Sequence, residues 1–189
     1  MKTRNSVLTV IFWLGLATVP SMAVTLDEDS QDTPSRFAVG FDVDSYSNNF
    51  GGGITLFSPH FFNDHMWIQF TGDIAWVQGV ANGTTLTTWS PYGLFKLGLM
   101  AGRFLENTPI RIYGGGGIVL VTLANNVSNS SAVGGYGVAG VEFLVNRDRS
   151  KALFIELGGM GTGAQADKMV NAPLYANGFS VSWGYKFYL

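Results

Sequence analysis

The last eleven residues, FSVSWGYKFYL, alternate without a break: Phe179, Val181, Trp183, Tyr185, Phe187 and Leu189 share one face, and Ser180, Ser182, Gly184, Lys186 and Tyr188 share the other. A two-residue period is that of a β-strand. Chain ends ordinarily lose order. An apolar, aromatic strand in this place therefore needs pairing on both edges and surroundings that accept rings.

The same period recurs from residue 36 onward. Phe37, Val39, Phe41 and Val43 oppose Ala38, Gly40, Asp42 and Asp44, and after the short turn SYSNN, Phe50, Gly52, Ile54 and Leu56 oppose Gly51, Gly53 and Thr55. A third strand sets Met66, Ile68, Phe70, Ile74 and Trp76 against Trp67, Gln69, Thr71, Asp73 and Ala75. The fourth sets Phe95, Leu97 and Leu99 against Tyr92, Lys96 and Gly98, and the fifth sets Ile110, Ile112, Ile118 and Leu120 against Arg111, Tyr113, Gly115 and Gly117. In the sixth, Val133, Val141 and Phe143 face away from Tyr136, Gly140 and Glu142; in the seventh, Leu153, Ile155 and Leu157 face away from Phe154, Glu156 and Gly158. The terminal segment makes eight.

An even number of strands brings both ends to one side. In a membrane barrel that side has the short turns, here SPHFFND, RFLENTP and VNRDRSK, and the far side has the longer loops VANGTTLTT, LANNVSNSS and TGAQADKMVNAPLYAN. SYSNN is short for an outer loop, which leaves room for a longer excursion at Asn48 and Asn49.

Only 13% of residues are charged, about half the share usual for soluble proteins. Much of the surface must therefore avoid water. Lys2 and Arg4 precede the apolar run VLTVIFWLGLATV and then Pro20, Ser21 and Ala23, the pattern of a secretory signal peptide covering 1–23. Residues 24–35 are acidic and poor in apolar groups, a flexible leader on the periplasmic side, and 36–189 form the barrel domain. There is no cysteine, and beyond residue 23 no apolar run is long enough for a transmembrane helix. A membrane location then requires a closed barrel, since only helices and barrels satisfy every backbone group in lipid. The fold expected is all-β, an eight-stranded antiparallel up-and-down transmembrane β-barrel. A net charge of -2 without a basic patch gives no reason to expect nucleic acid.

Alternation does not say which face points inward, but the second face does. A water-facing surface is dense in charge. Here it carries Gly, Ser, Tyr and mostly one ionisable group per strand: Asp42 or Asp44, Asp73, Lys96, Arg111, Glu142, Glu156 and Lys186. Neighbouring strands would set Arg111 beside Glu142, Glu156 beside Lys186, and Lys186 beside Asp42. Buried ions must be paired, so these groups make a salt-bridged plug, with a proton or ion path through them as the alternative. The glycine clusters at 51–53 and 114–117 precede neither Lys-Ser nor Lys-Thr nor a helix pattern, so they are no phosphate loop. They suit the sharp coiling of a small barrel.

The strings SPYGLFKLGLMAGRF, IRIYGGGGI, GGYGVAGVEFLV and the terminal SWGYKFYL resemble the small eight-stranded outer-membrane barrels that include OmpX, the OmpA transmembrane domain and opacity-like proteins. The resemblance covers nearly all of the chain beyond the signal. It implies residence in a bacterial outer membrane among its lipid and lipopolysaccharide, and insertion by the barrel assembly machinery through a terminal aromatic strand. Tyr185, Phe187 and Leu189 would be that signal. The family pattern ends in Phe, whereas this chain has Leu189 at that place.

Function falls into three classes. Enzymes of such families act on lipid A, but the only histidines, His60 and His65, fall in a turn expected at the periplasmic end; there they read as solvated surface, with a Ser58–His60 pair as the catalytic alternative. Loops can bind a surface ligand, although these loops lack a Trp, Tyr and Arg cluster. A lumen lined by Trp67, Tyr92, Tyr113, Tyr136 and Phe154 could carry a small apolar ligand or ions, as in OmpW-like barrels. The expectation is a non-enzymatic, closed barrel without cofactor or metal, with Trp76, Trp89, Trp183 and Tyr185 as an interface girdle.

Overall fold

The computed structural model describes residues 36–47, 49–83, 85–129 and 131–189. The segments 1–23 and 24–35 lie outside the described residues, as does Asn48. Eight strands form one closed barrel: β1 (Ala38–Tyr46), β2 (Asn49–Phe57), β3 (Met66–Val80), β4 (Thr87–Phe104), β5 (Ile110–Thr122), β6 (Ala132–Leu144), β7 (Lys151–Gly161) and β8 (Gly178–Tyr188). Each strand pairs antiparallel with the next in sequence, and β8 returns to β1 through Ala38↔Tyr188 to Tyr46↔Ser180. The terminal strand is thus paired on both edges, as its alternation required. Pairing of β1 with β2 runs to Tyr46↔Asn49, so their connection is a tight turn, with no longer excursion.

The wall is uneven in height. β1 has 9 residues; at about 3.3 Å per residue and a tilt near 40°, such a strand rises roughly 23 Å, close to the ~25 Å apolar band of outer-membrane barrels. β3 has 15 and β4 has 18 residues, so this pair stands above its neighbours at the end opposite the termini. We call that end the loop mouth and the other the terminal mouth.

Polarity is inverted relative to a soluble barrel. On β1, Phe41 and Val43 are exposed, whereas Asp42, Asp44 and Tyr46 are buried. The pattern holds around the wall, with Ile54, Phe70, Leu97, Ile118, Leu157 and Trp183 outward and Lys96, Arg111, Glu142, Glu156 and Lys186 inward. Glycines on the inward face make room for rings: a Cβ on Gly98 would sit 2.3 Å from the Tyr136 hydroxyl, and one on Gly140 2.5 Å from the Tyr113 ring. In a barrel this narrow, each large inward side chain needs a residue without one opposite it.

Inside, two apolar clusters occupy the two mouths. Tyr92, Leu94, Val119 and Val121 belong to the cluster at the loop mouth, and Phe57, Trp67, Met100 and Phe154 to the cluster at the terminal mouth. The ionisable side chains lie around and between them.

Candidate functional site

Near the loop mouth, one lysine serves three aspartates. Asp42 and Asp73 are both register partners of Gly53, so they flank a position with no side chain, where a Cβ would lie 2.2 Å from Asp73 Oδ1. Lys96, opposite Thr71 on β3, reaches Asp73 Oδ2 at 3.0 Å and Asp44 Oδ2 at 3.4 Å. The Tyr46 hydroxyl donates to Asp44 Oδ2 at 2.5 Å and lies 3.0 Å from Asp73 Oδ2, and Lys96 donates to it at 3.3 Å. Asp42 takes a hydrogen bond from Thr55 at 3.3 Å, and Thr55 in turn meets Thr71 at 2.9 Å. Asp42, Asp44 and Asp73 hold one carboxylate oxygen each within 4.8 Å of the others, a spacing that could hold a metal ion. The Lys96 ammonium already stands among them, so a metal would have to share the site with a fixed positive charge.

Near the terminal mouth the ratio is reversed, with two cations on one carboxylate. Arg111 and Glu142 are register partners, as the strand order predicts, and stand 3.8 Å apart. Lys186 is closer to Glu142, at 3.0 Å, and Tyr188 donates to the other carboxylate oxygen. Rings shield both cations: Lys186 lies 3.9 Å from the Phe57 ring centre, and Arg111 4.3 Å from that of Phe104.

Two of the expected pairings do not form. Register sets Glu156 opposite Ser182 and Lys186 opposite Ala152, and sets Lys186 opposite Gly40 while Asp42 faces Gly184. Lys186 is thus offset along the wall from both carboxylates and crosses the lumen to Glu142 instead. Glu156 is met by neutral donors, Tyr113 at 2.9 Å and Gln69 at 3.3 Å.

His60 departs most from expectation. It is buried, not solvated: the turn 58–65 folds its imidazole into the terminal mouth, between Trp67 and Tyr188, with Nε2 2.6 Å from Arg111. An arginine can only donate, so Nε2 accepts and the ring is neutral. Burial, and then the charge of Arg111, pulls its pKa down to about 4. Ser58 is not its partner; the Ser58 hydroxyl donates to the Pro59 carbonyl at 2.8 Å and accepts the Ile68 N–H at 2.9 Å. His65 is exposed, with Nδ1 donating to the Asn63 carbonyl.

At the loop mouth, residues turned inward from two connections cap the lumen. Ala164, Ala166, Met169, Tyr175 and Ala176 of the connection 162–177, with Ala124 and Val127 of 123–131, pack on Tyr92, Leu94, Val119 and Val121. Tyr175 meets Tyr92 edge-on at 4.9 Å. Backbone bonds from Lys168 to Val127 and from Asn82 to Lys168, both 3.1 Å, tie three connections together. The expected aromatic lining is present, but it is divided: Tyr92 lies at the loop mouth, and Trp67, Tyr113 and Phe154 at the terminal mouth, with Tyr136 touching both clusters. Among the described residues these rings form no continuous apolar passage.

No family model and no curated protein matches the sequence. Among solved structures, the N-terminal β-barrel domain of Pseudomonas aeruginosa OprF superposes with a TM-score of 0.57, over 84% of this chain and 100% of that one, at 12% sequence identity. The two share the fold of a closed β-barrel, here with eight antiparallel strands. So low an identity carries the backbone path alone.

On the outside of the barrel, Phe50 stacks on Trp76 at 5.2 Å and meets Trp89 edge-on at 5.1 Å, a three-ring group towards the loop mouth. Trp183 pairs with Val43 and Ile155, mid-way along β8. Tyr185 packs on Phe187 at 4.8 Å and Phe187 on Phe41 at 6.4 Å, nearer the terminal mouth. The N–H of Leu189 donates to the Phe37 carbonyl at 2.9 Å, so pairing of the seam extends to that residue.

Proposed function

We propose that this chain is an integral outer-membrane protein with a closed, charge-plugged lumen, whose role is structural or exercised through its surface loops. The observation that carries the reading is the inverted barrel: an apolar exterior around buried ion pairs, with the lumen sealed by rings at the terminal mouth and by inward-turned loop residues at the loop mouth. In such a membrane Tyr185, Phe187 and Leu189 would be read by the assembly machinery. The loop mouth would face the cell exterior beside lipopolysaccharide, presenting Leu86, Leu123 and Leu174 to a surface ligand.

The geometry weighs against catalysis on lipid A. Both histidines sit at the terminal mouth, His60 Nε2 is taken by Arg111, and the Ser58 hydroxyl is engaged with backbone. A channel is the second reading, favoured by the polar layer of Asp42, Asp44, Asp73 and Lys96, which would support an ion path if the cap opened.

Gel mobility of the outer-membrane fraction, boiled against unboiled, tests the barrel, and planar-bilayer recordings test closure. A heat-dependent shift with no steady conductance is expected. Replacing 164–176 by a Gly-Ser linker should then produce openings. Steady conductance of the unaltered protein would favour the channel, and a soluble periplasmic protein would overturn the membrane reading.

A further inference from the structure

The outer wall is indented at its terminal end between β4 and β5. Ala101 and Gly114 are register partners on the outward face, and with Gly102, Ile112, Tyr113, Arg103 and His65 they line a shallow, open groove of about 400 Å³. The barrel's own packing presses less on a side chain at 114 than on one at 115. A Cβ there would meet only the Val138 carbonyl at 3.3 Å and Ala139 Cα at 4.0 Å, whereas one on the neighbouring Gly115 would sit 2.2 Å from the Leu99 carbonyl. Gly114 therefore keeps the outside of the wall hollow.

The groove is charged at one end. Arg103 and His65 are exposed at its rim, and His65 is held against β4 by a hydrogen bond from the Gly102 N–H to its carbonyl at 2.8 Å. Arg147, Arg149 and Lys151 lie at the same mouth, in and after the β6–β7 connection, and with Arg36 and Arg103 they outnumber Asp64, Glu106 and Asp148 there. The loop mouth has, among the described residues, only Asp167 and Lys168. A hollow with cations at the edge and alanine, glycine and isoleucine beyond them matches a molecule with a phosphate at one end and a hydrocarbon chain at the other.

We propose that this groove binds one anionic phospholipid of the leaflet at the terminal mouth, its phosphate against Arg103 and His65 and an acyl chain over Ala101 and Gly114. The assignment rests on the membrane reading above. The groove opens on the outward face, so the site is independent of whether the lumen conducts.

Native mass spectrometry of the folded barrel in detergent tests it, with phosphatidylglycerol, phosphatidylethanolamine and phosphatidylcholine of equal chain length offered together. One phosphatidylglycerol should be retained in preference to the others. Arg103→Gln should weaken that retention about fivefold, the effect of one basic group at an anionic membrane surface, and Gly114→Leu should abolish it by filling the hollow. The heat-dependent gel shift is measured on every variant. Equal retention of the three headgroups, retention unchanged in Arg103→Gln, or protein pairs holding no lipid would each overturn the site while the shift persists. Absence of the shift in the unaltered protein would instead bring down the membrane reading and the site with it.

Discussion

The two ends of the lumen solve the same problem with opposite charge. Towards the loop mouth, three carboxylates gather around Lys96, and Thr55, Thr71 and Tyr46 supply hydroxyls between them. Towards the terminal mouth, two cations gather around Glu142, and the rings of Phe57, Phe104 and Trp67 lie against them. Excess negative charge is met by hydroxyl donors and excess positive charge by π-faces, each the neutral group with the right polarity. The contrast shows that a closed lumen does not need one-to-one ion pairs.

The sharpest way to break the terminal-mouth arrangement is to remove the carboxylate that Arg111 and Lys186 share. Glu142→Ala should destabilise the barrel by roughly 3–5 kcal/mol, because two buried cations lose their partner; urea unfolding in lipid vesicles measures it, and an unchanged midpoint would refute the pairing. At the other end, Lys96→Met should cost about 3 kcal/mol at neutral pH by leaving three carboxylates together. The same unfolding curves read it, and an unchanged midpoint would show that Lys96 does not hold that cluster together.

His60 provides a smaller test confined to the terminal mouth. Its folded pKa, about 4, lies below the ordinary value of 6.5, so the unfolded chain binds the extra proton first. Stability from this residue is therefore full above pH 6.5 and is lost as pH falls from there to about 4. His60→Phe should flatten the unfolding midpoint across that window. The smallest effect belongs to Thr55→Val, which removes the hydroxyl between Asp42 and Thr71 and should cost about 1 kcal/mol, read as a shift in the same unfolding curves.

Much of the wall was legible because one local rule, alternation, carries it. Phe41 outward and Asp42 inward follow from the strand period whatever the partner, and so do Lys96, Arg111, Glu142 and Lys186. Arg111 and Glu142 could also be paired in advance, being neighbours both in strand order and in height. Lys186 could not, since its partner depends on the stagger accumulated around the barrel, to which no single strand is sensitive. His60 was read as surface because a turn is ordinarily wet, and nothing local says that this one folds its ring into the mouth. The cap was missed for a related reason. Ala164, Ala166, Met169 and Tyr175 are scattered among Asn, Asp and Gly, and only the shape of the mouth gathers them.

The joining of β8 to β1 has a consequence in time. Ala38 and Tyr188 are neighbours in space but lie at opposite ends of the strand sequence, so the seam cannot be sealed until the last strand has been made. Every earlier stage leaves a free edge on β1 and another on the newest strand, each ready to pair with whatever strand comes near. Such a chain must be kept apart from its copies until its eighth strand arrives, and closing the seam is then a single step that leaves no edge to open again.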